Sequence, residues 1–349
     1  MSRQQMVPII MNKNYERIAE LDDYISFIWT TRFYKPGDFE LCIDIKNADI
    51  LQVGNYVLRR EDDHAGIIEK IQFKRTEEAQ EMVIVSGRMV SSIIGRRVIS
   101  NQTQVNGLVS DCIGLLIDEN VINPAAANRK ISNFTFTNDS NSAAEMDAQY
   151  TGENLLDTVS SLCETYSIGM DCILDENNNF AFNLYDGIDR SYAQSVNPYI
   201  VFSETYDNLL NSELDEDRTG YVTDVLVGGE GEGINRTMIW SAKDSQTGLN
   251  RFESFLDAST AVTNENIITQ ETYEKQLEGL GLEEVTEYTT AFTGEVSFDN
   301  VELGRNVNIG DIVTIENVRW GKRINSRIIE AIESIGEDGT YSLIPTFGT

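Results

Sequence analysis

The sequence predicts a β-dominated α+β protein with several domains, and three observations support this prediction. The chain has 349 residues, more than one ordinary hydrophobic core accommodates. Short runs rich in Ile, Val, Phe and Tyr alternate with turn residues along most of its length. Helical spacing of apolar residues is confined to a few segments. These observations together indicate about two to four domains built mainly from short strands.

The first hundred residues are predicted to form an all-β module. Strand-like runs follow one another at 24–34, 39–45, 55–60, 64–75 and 81–88. The turn between the first two runs consists of Lys35, Pro36, Gly37 and Asp38. Proline presets such a turn, and glycine permits a positive φ in it. Short strands joined by tight turns favour a barrel or a sandwich over a parallel sheet.

Helical periodicity begins after residue 105. Apolar residues recur at helical spacing over 108–116, with Asn106 as a candidate N-cap. A second helix is predicted over 155–166, where the apolar residues share one face and Thr151 is the candidate cap. A polar, largely helical stretch is predicted over 264–281.

Strands occupy the rest of the chain. A hairpin is predicted over 170–187, and further strand-like runs occupy 199–203, 221–229 and 236–242. The flexible acidic turn before the last of these runs includes Gly229, Glu230, Gly231 and Glu232. Strands return between residues 288 and 347, so the predicted order is β, α+β, β, helix, β.

Charge and composition exclude several functional classes. The chain carries 27 basic and 57 acidic residues, and its net charge of −30 opposes binding to nucleic acid. No apolar run approaches the roughly 20 residues of a membrane helix, and no secretory signal is evident. We therefore expect a protein that is made and folded inside a cell. The cysteines lack CxxC spacing and are expected to be reduced and buried; they are Cys42, Cys112, Cys163 and Cys172.

The sequence offers no catalytic constellation. His64 is the single histidine, so a site with two histidine ligands cannot form, and we interpret His64 as a solvated turn residue. The glycines near 230 do not match GxGxxG, and Asp215–Gly220 lacks the ligand spacing of a calcium loop, which leaves it as a solvated turn. We predict no catalytic, cofactor-binding or metal-binding residue, and we predict that the protein is not an enzyme.

Several phrases, in order, resemble one family of tail proteins from siphoviruses and prophages of Gram-positive hosts. They are WTTRFYKPGDFEL (29–41), HAGIIEKI (64–71), VSGRMVSSIIGRRVI (85–99), FSETYDNLLNSE (202–213), VLVGGEGEGINR (225–236), GDIVTI (310–315) and IPTFG (344–348). The family is that of tail-tip baseplate hub proteins, similar to the N-terminal part of tail-associated (Tal-like) proteins.

The resemblance implies a fold with two tail-tube-like β-barrels and helical and α+β insert domains. The corresponding predicted boundaries are 1–104 for the first barrel, which later strands can complete, 105–198 for the α+β insert, 199–263 for the second β module, 264–285 for a helical insert, and 286–349 for strands that close the second barrel.

The resemblance also implies a structural function at the virion tail tip, after assembly in the cytoplasm of the host bacterium. A homotrimer is expected to cap the tail tube, match its sixfold symmetry to the threefold tip and conduct DNA during ejection. Its expected partners are the distal tail protein ring, the tail tube or tape measure protein, and tip fibre or receptor-binding proteins. DNA is expected only in transit through the lumen, where acidic walls repel phosphates.

Two alternatives stay open. A tail-associated peptidoglycan hydrolase would use paired carboxylates and an aromatic groove, yet Trp29, Trp240 and Trp320 are expected at core or interface positions. A receptor-binding tip protein would present exposed aromatic clusters, which the sequence does not indicate. For contacts with partners we single out the two turns at 35–38 and 228–233, because loops often carry interfaces.

Overall fold

The computed structural model of the protein describes residues 6–60, 62–75, 80–260, 269–286, 289–296, 303–304 and 306–348; for 210–212 and 289–296 it describes the backbone only. Strands dominate, which confirms the predicted β-dominated α+β class.

The strands fall into three stretches of the chain. The first stretch holds β1 (Pro8–Met11), β2 (Arg17–Glu20), β3 (Ser26–Arg32), β4 (Asp38–Asp44), β5 (Tyr56–Arg59), β6 (Ala65–Ile67), β7 (Lys70–Arg75) and β8 (Glu81–Arg88). The second holds β9 (Thr103–Leu108), β10 (Phe134–Asn138), β11 (Glu145–Tyr150), β12 (Gly169–Leu174) and β13 (Phe180–Tyr185). The third holds β14 (Val201–Ser203), β15 (Leu209–Asp217), β16 (Asp224–Gly228), β17 (Met238–Ser241), β18 (Glu253–Asp257), β19 (Thr289–Val296), β20 (Ile312–Asn317), β21 (Lys322–Ile335) and β22 (Tyr341–Gly348).

Three α-helices are present in the described ranges: α1 (Val109–Ile117), α2 (Leu155–Thr165) and α3 (Gln270–Glu283). They confirm the three predicted helical segments, although residues 264–268 of the third prediction lie outside the described residues. The predicted caps are wrong. The side chain of Asn154 accepts the N–H of Leu156 at 2.9 Å, because an N-cap oxygen reaches only the first turn and Thr151 is too far back. Helix α1 follows β9 directly, and its cap residue Leu108 makes no side-chain cap.

A ten-stranded sheet joins the two ends of the chain. Its main path runs β15-β19-β22-β21-β3-β4-β8-β7, and β20 and β14 branch from β21. The long strand β21 pairs antiparallel with β3, from Glu330 opposite Arg32 to Ile335 opposite Phe27. In the described part of the chain the path stays open, with β15 at one edge and β7 at the other. The predicted domain boundaries stay a prediction, but strands of the first and last predicted segments share this sheet.

The N-terminal module consists of β1 to β8. Its second sheet has the order β2-β1-β5-β6, and the predicted run 64–75 is two strands, because β6 pairs with β5 and β7 pairs with β8. The chain thus bends between the two sheets at residues 68–69. Apolar side chains of both sheets, including the fully buried Phe27, Trp29 and Leu41, form the core between them.

The C-terminal module consists of β14, β15 and β19 to β22. The segment 201–217 behaves like the bent strand of the first module: β14 pairs with β20, and β15 pairs with β19. Phe202, Val313 and Phe347 lie in its buried core. Strand β15 extends to Asp217, so the prediction of a turn over all of Asp215–Gly220 is wrong for its first half.

The α+β insert contains β9 to β13 with α1 and α2. Its core also includes Ile9, Leu58 and Ile67 from the sheet β2-β1-β5-β6. Residues on the other face of that sheet pack into the core of the N-terminal module. The predicted hairpin over 170–187 is confirmed as β12 and β13. A small module is formed by β16, β17, β18 and α3, where Val225, Val227 and Leu277 are buried together.

Candidate functional site

The two edges of the ten-stranded sheet are the first candidate site. Strand β7 carries Lys70, Lys74 and Arg75, and the side chain of Phe73 is 67% exposed. Among the described residues no strand pairs with the outer side of β7. An exposed edge presents unpaired backbone donors and acceptors that a further strand can use. The β7 edge is therefore a basic sheet edge that could accept another strand.

The opposite edge is acidic. Strand β15 has the sequence LLNSELDED, in which Glu213, Asp215 and Glu216 are exposed. Glu216 forms an ion pair of 3.2 Å with Lys322 at the start of β21. In the described ranges β15 pairs only with β19, so the sheet presents opposite charges at its two ends.

A cavity of about 930 Å³ is the second candidate site. It lies where the N-terminal module, the α+β insert and the C-terminal strands meet, and charged side chains from all three line it. They include Arg59, Asp62 and His64 from the first, Asp171 from the second and Glu333 from the third.

His64 bridges the N-terminal module and the insert inside this cavity. Its Nδ1 lies 2.5 Å from a carboxylate oxygen of Asp62, and its Nε2 lies 3.0 Å from one of Asp171. The prediction of a solvated turn histidine is wrong, because β12 brings Asp171 against the ring. Both ring nitrogens are occupied by carboxylates, an arrangement that holds two segments together.

The pKa values of this cluster follow from its charges. Burial alone lowers the pKa of His64, but the carboxylates of Asp171 and Asp62 outweigh it and raise that pKa well above its usual range. Burial raises the pKa of both carboxyls, but the imidazolium outweighs it, so both pKa values lie below the ordinary range. The ionised trio therefore persists at neutral pH.

A second part of the cluster links the N-terminal and C-terminal modules. The guanidinium of Arg59 donates to Asp62 at 2.5 Å and also to Glu333 on β21. The hydroxyl of Tyr341 donates to Glu333 at 2.6 Å. Because Asp62 contacts both Arg59 and His64, one chain of polar contacts runs from β12 through β5 to β21.

The turn at 35–38 lies at this cavity. Lys35 and Gly37 line it, while Arg32 donates to Asp38 at 2.6 Å and to the carbonyl of Pro36 at 3.1 Å. A Cβ on Gly37 would lie 1.9 Å from the carbonyl oxygen of Thr30. Glycine is required here because the backbone of Thr30 comes so close. The sequence pattern favours a positive φ at Gly37, but Gly37 does not have one. Its role in partner contact stays a prediction.

The turn at 229–232 lies elsewhere, in the small module. Gly229 is buried, whereas Glu230, Gly231 and Glu232 are exposed. The backbone N–H of Glu230 donates to the hydroxyl of Tyr273 on α3 at 2.6 Å. None of these residues lines the cavity, so the structure does not bring the two predicted turns together there.

Other expectations concern metals, thiols and membranes. Over the described residues no group of His, Cys, Asp and Glu side chains could hold a metal ion. The four cysteines are free and buried, as predicted. Of the helices in those ranges, none has the length and apolar character of a bilayer-spanning segment.

Sequence reasoning missed both sheet edges and the polar cluster. The basic run of β7 and the acidic run of β15 are visible in the sequence, but only the sheet order shows that they are opposite edges. Asp171 lies 107 residues from His64, so no local pattern indicates their contact.

Comparison with known proteins identifies a matching family and solved structures with the same fold. Residues 7–349 match the family model described as Siphovirus ReqiPepy6 Gp37-like protein. No curated protein matches the sequence.

Solved structures share the fold at low sequence identity. A tail protein from Neisseria meningitidis MC58 matches with a TM-score of 0.59 and 12% identity, covering 98% of this chain and 96% of that one. The prophage tail protein gp18 from Listeria monocytogenes EGD-e matches with a TM-score of 0.57 and 12% identity, over 98% and 94%. A chain of the Francisella PdpA-VgrG complex matches with a TM-score of 0.54 and 11% identity, over 98% and 52%.

The likeness to these structures extends over nearly the whole chain and concerns the fold. The family model likewise spans almost every residue. The protein therefore belongs to the Siphovirus ReqiPepy6 Gp37-like protein family.

Proposed function

We propose that the protein is a structural component of the siphovirus tail, a Tal-like hub at the tail tip. Three copies form a ring that caps the tail tube, matches its sixfold symmetry to the threefold tip and conducts DNA during ejection. The tail assignment is supported by the family and by the shared fold with the tail proteins of Neisseria and Listeria. A chain of the Francisella PdpA-VgrG complex shares the same fold. A Gram-positive host stays a prediction.

The observation that carries the ring is the pair of oppositely charged sheet edges. In a head-to-tail contact one patch meets a different patch on the next copy, and such contacts generate closed rings when the rotation closes. The basic edge β7 of one copy meets the acidic edge β15 of the next. Between chains that each carry a net charge of −30, this local complementarity offsets general repulsion.

Two barrels in each copy account for the symmetry match. In each of the bent segments 65–75 and 201–217, the first half pairs with one strand and the second half with another, around a separate core, as strands that close a barrel do. Three copies then present six barrels to a hexameric tube.

The location and the partners of the ring are what the resemblance to tail-tip hub proteins implies. The ring belongs to the virion tail tip, is assembled in the host cytoplasm, and contacts the distal tail protein, the tube or tape measure protein and tip fibre or receptor-binding proteins. DNA passes through an acidic lumen without being bound. The chain is not an enzyme; this is supported by His64, whose two ring nitrogens are both occupied by carboxylates.

Light scattering on the purified protein, alone and with the distal tail protein of the same virion, tests the ring. A trimer in either sample supports the proposal. A monomer in both, with hydrolysis of peptidoglycan or binding to host cells, would favour the alternative functions.

Charge reversal tests the interface itself. Lys70→Glu with Lys74→Glu on β7, or Glu213→Lys with Asp215→Lys on β15, should each weaken assembly by about tenfold or more. Mixing the two variants should restore assembly between unlike chains. The control is Lys13→Glu with Lys130→Glu, which changes the charge equally at exposed lysines outside strands β7 and β15. Equal effects of the control and the β7 variant would contradict this interface.

A further inference from the structure

The small module has a sheet whose uncovered face is apolar. Leu226 on β16 lies in register with Trp240 on β17 and with Phe255 on β18, so the three side chains form one row across the sheet. Met238 continues the row beside Gly228. The side chains of Trp240 and Phe255 are 46% and 53% exposed. We call the surface formed by Leu226, Met238, Trp240 and Phe255 the aromatic face.

The other face of the same sheet is packed against helix α3. Val225 and Val227 are buried against Tyr273 and Leu277 of α3. A sheet with one packed face normally turns polar residues to water on the other. The aromatic face is an exception, and exposed apolar patches of this kind mark interaction sites.

Two arginines lie on the aromatic rings. The guanidinium carbon of Arg251 lies 4.5 Å from the centroid of Trp240, and that of Arg236 lies 5.5 Å from the centroid of Phe255. Cation–π contacts of this kind fix the orientation of the rings. The rings are thus arranged in advance, which lowers the entropy lost when a partner binds.

Carboxylates surround the face and neutralise these arginines. Arg251 is paired with Asp224 and, at 2.5 Å, with Glu253, while Arg236 is paired at 2.5 Å with Asp257. The neighbouring turn adds the exposed Glu230 and Glu232. The face therefore has an apolar centre and an acidic rim.

We infer that the aromatic face is a docking site for a different protein, whose contact surface is apolar at its centre and carries Lys and Arg around it. Charge complementarity selects this occupant, since the rim is acidic. A second copy of this chain fits poorly through the same face, because the two acidic rims would repel each other. Trp and Arg, both present here, are the residues enriched among binding hot spots. This site is independent of the proposed ring contacts at β7 and β15.

The experiment uses the full chain with each of the other tail proteins of the same virion, purified singly and titrated by calorimetry. One of them should bind, and Trp240→Glu with Phe255→Glu should weaken that binding by about thirtyfold or more. Val196→Glu with Val53→Glu is the matched control, since both valines are exposed and lie outside the small module; it should leave the affinity within about twofold. Affinity should also fall as salt rises, because the rim attraction is screened.

The variants are exposed substitutions, and circular dichroism checks that they fold. A milder variant, Trp240→Ala, gives an independent reading and should weaken binding by about tenfold. The inference is overturned if no tail protein binds, or if face and control variants lose affinity equally. It is also overturned if the face variant instead loses binding to purified cell-wall polysaccharide, or instead changes the oligomeric mass of the chain, which would identify a glycan or a second copy as the occupant. Loss of the ring with this binding intact would contradict only the proposed function.

Discussion

The N-terminal and C-terminal modules each contain one bent segment whose two halves pair with different strands, but the chain supplies their strands differently. In the first module, segment 65–75 pairs with β5 and then with β8. In the second, segment 201–217 pairs with β20 and then with β19. The N-terminal module is contiguous, whereas the small module interrupts the C-terminal one between β15 and β19. The difference shows that strand pairing, and not continuity of the chain, defines a module here.

The largest expected loss of stability comes from truncating a buried aromatic side chain in the core of either module. Trp29→Ala and Phe202→Ala should each cost about 3–5 kcal/mol in free energy of unfolding, because both side chains are buried aromatics. If β21 couples the modules, urea unfolding followed by fluorescence and by circular dichroism should give one coincident transition for each variant. Two separated transitions would show that the modules unfold independently. The exposed Val196→Ala is the control and should change stability by less than about 0.5 kcal/mol.

A smaller effect is expected at the contact between the modules. Arg59→Met leaves Glu333 without its buried cation and takes one of two cations from Asp62, so it should cost about 3 kcal/mol, measured by urea unfolding. Arg88→Met removes an exposed ion pair with Glu69 and should cost less than about 1 kcal/mol. Equal losses in the two variants would contradict a role of Arg59 in joining the modules.

The smallest expected loss of stability concerns His64, which links the N-terminal module to the insert, and this loss depends on pH. Because the pKa of His64 is raised in the folded state, its stabilisation is complete below about 6.5 and is lost as pH rises through the raised value. The carboxyls have lowered pKa values, so their contribution is present above about 3.8 and is lost as pH falls through those values.

His64→Gln should therefore cost about 1–2 kcal/mol at pH 5.5, and the difference from the wild type should shrink on raising the pH to 9. Chemical denaturation at the two pH values measures this difference. Arg88→Gln is the control, since an arginine keeps its charge over the range and its effect should stay constant. A histidine effect that does not change with pH would contradict the ionised bridge.

The sequence predicts the local parts of this fold well. The runs that became β3, β4 and β8 alternate apolar residues and carry their own turns, so local pattern is enough. The pairing of β3 with β21 is a different matter, because nothing near residue 30 indicates a partner near residue 330. The signal for the aromatic face was present but ambiguous: β16 is apolar at Val225, Leu226 and Val227, and only the packing of α3 shows which side is covered.

The site was harder to predict than the fold for the same reason. His64 was assigned to solvent because its sequence neighbours are polar, while its decisive partner comes from β12. Trp29 and Trp240 both lie in strands, yet one is fully buried and the other half exposed. Elements distant in the sequence pack on one face of a sheet and so decide whether a strand residue is buried or exposed. The local sequence pattern carries no information about those elements.

The distance along the chain between β3 and β21 has a consequence during synthesis. Arg32 and Glu330, which contact each other across these strands, are separated by 298 residues. At about 5–20 residues per second, a ribosome needs roughly 15–60 s to deliver the second strand after the first. Throughout that interval the nascent β3 has a bare edge beside the already paired β4. Chaperones that shield strand edges during translation should therefore affect the yield of this protein more than its final stability.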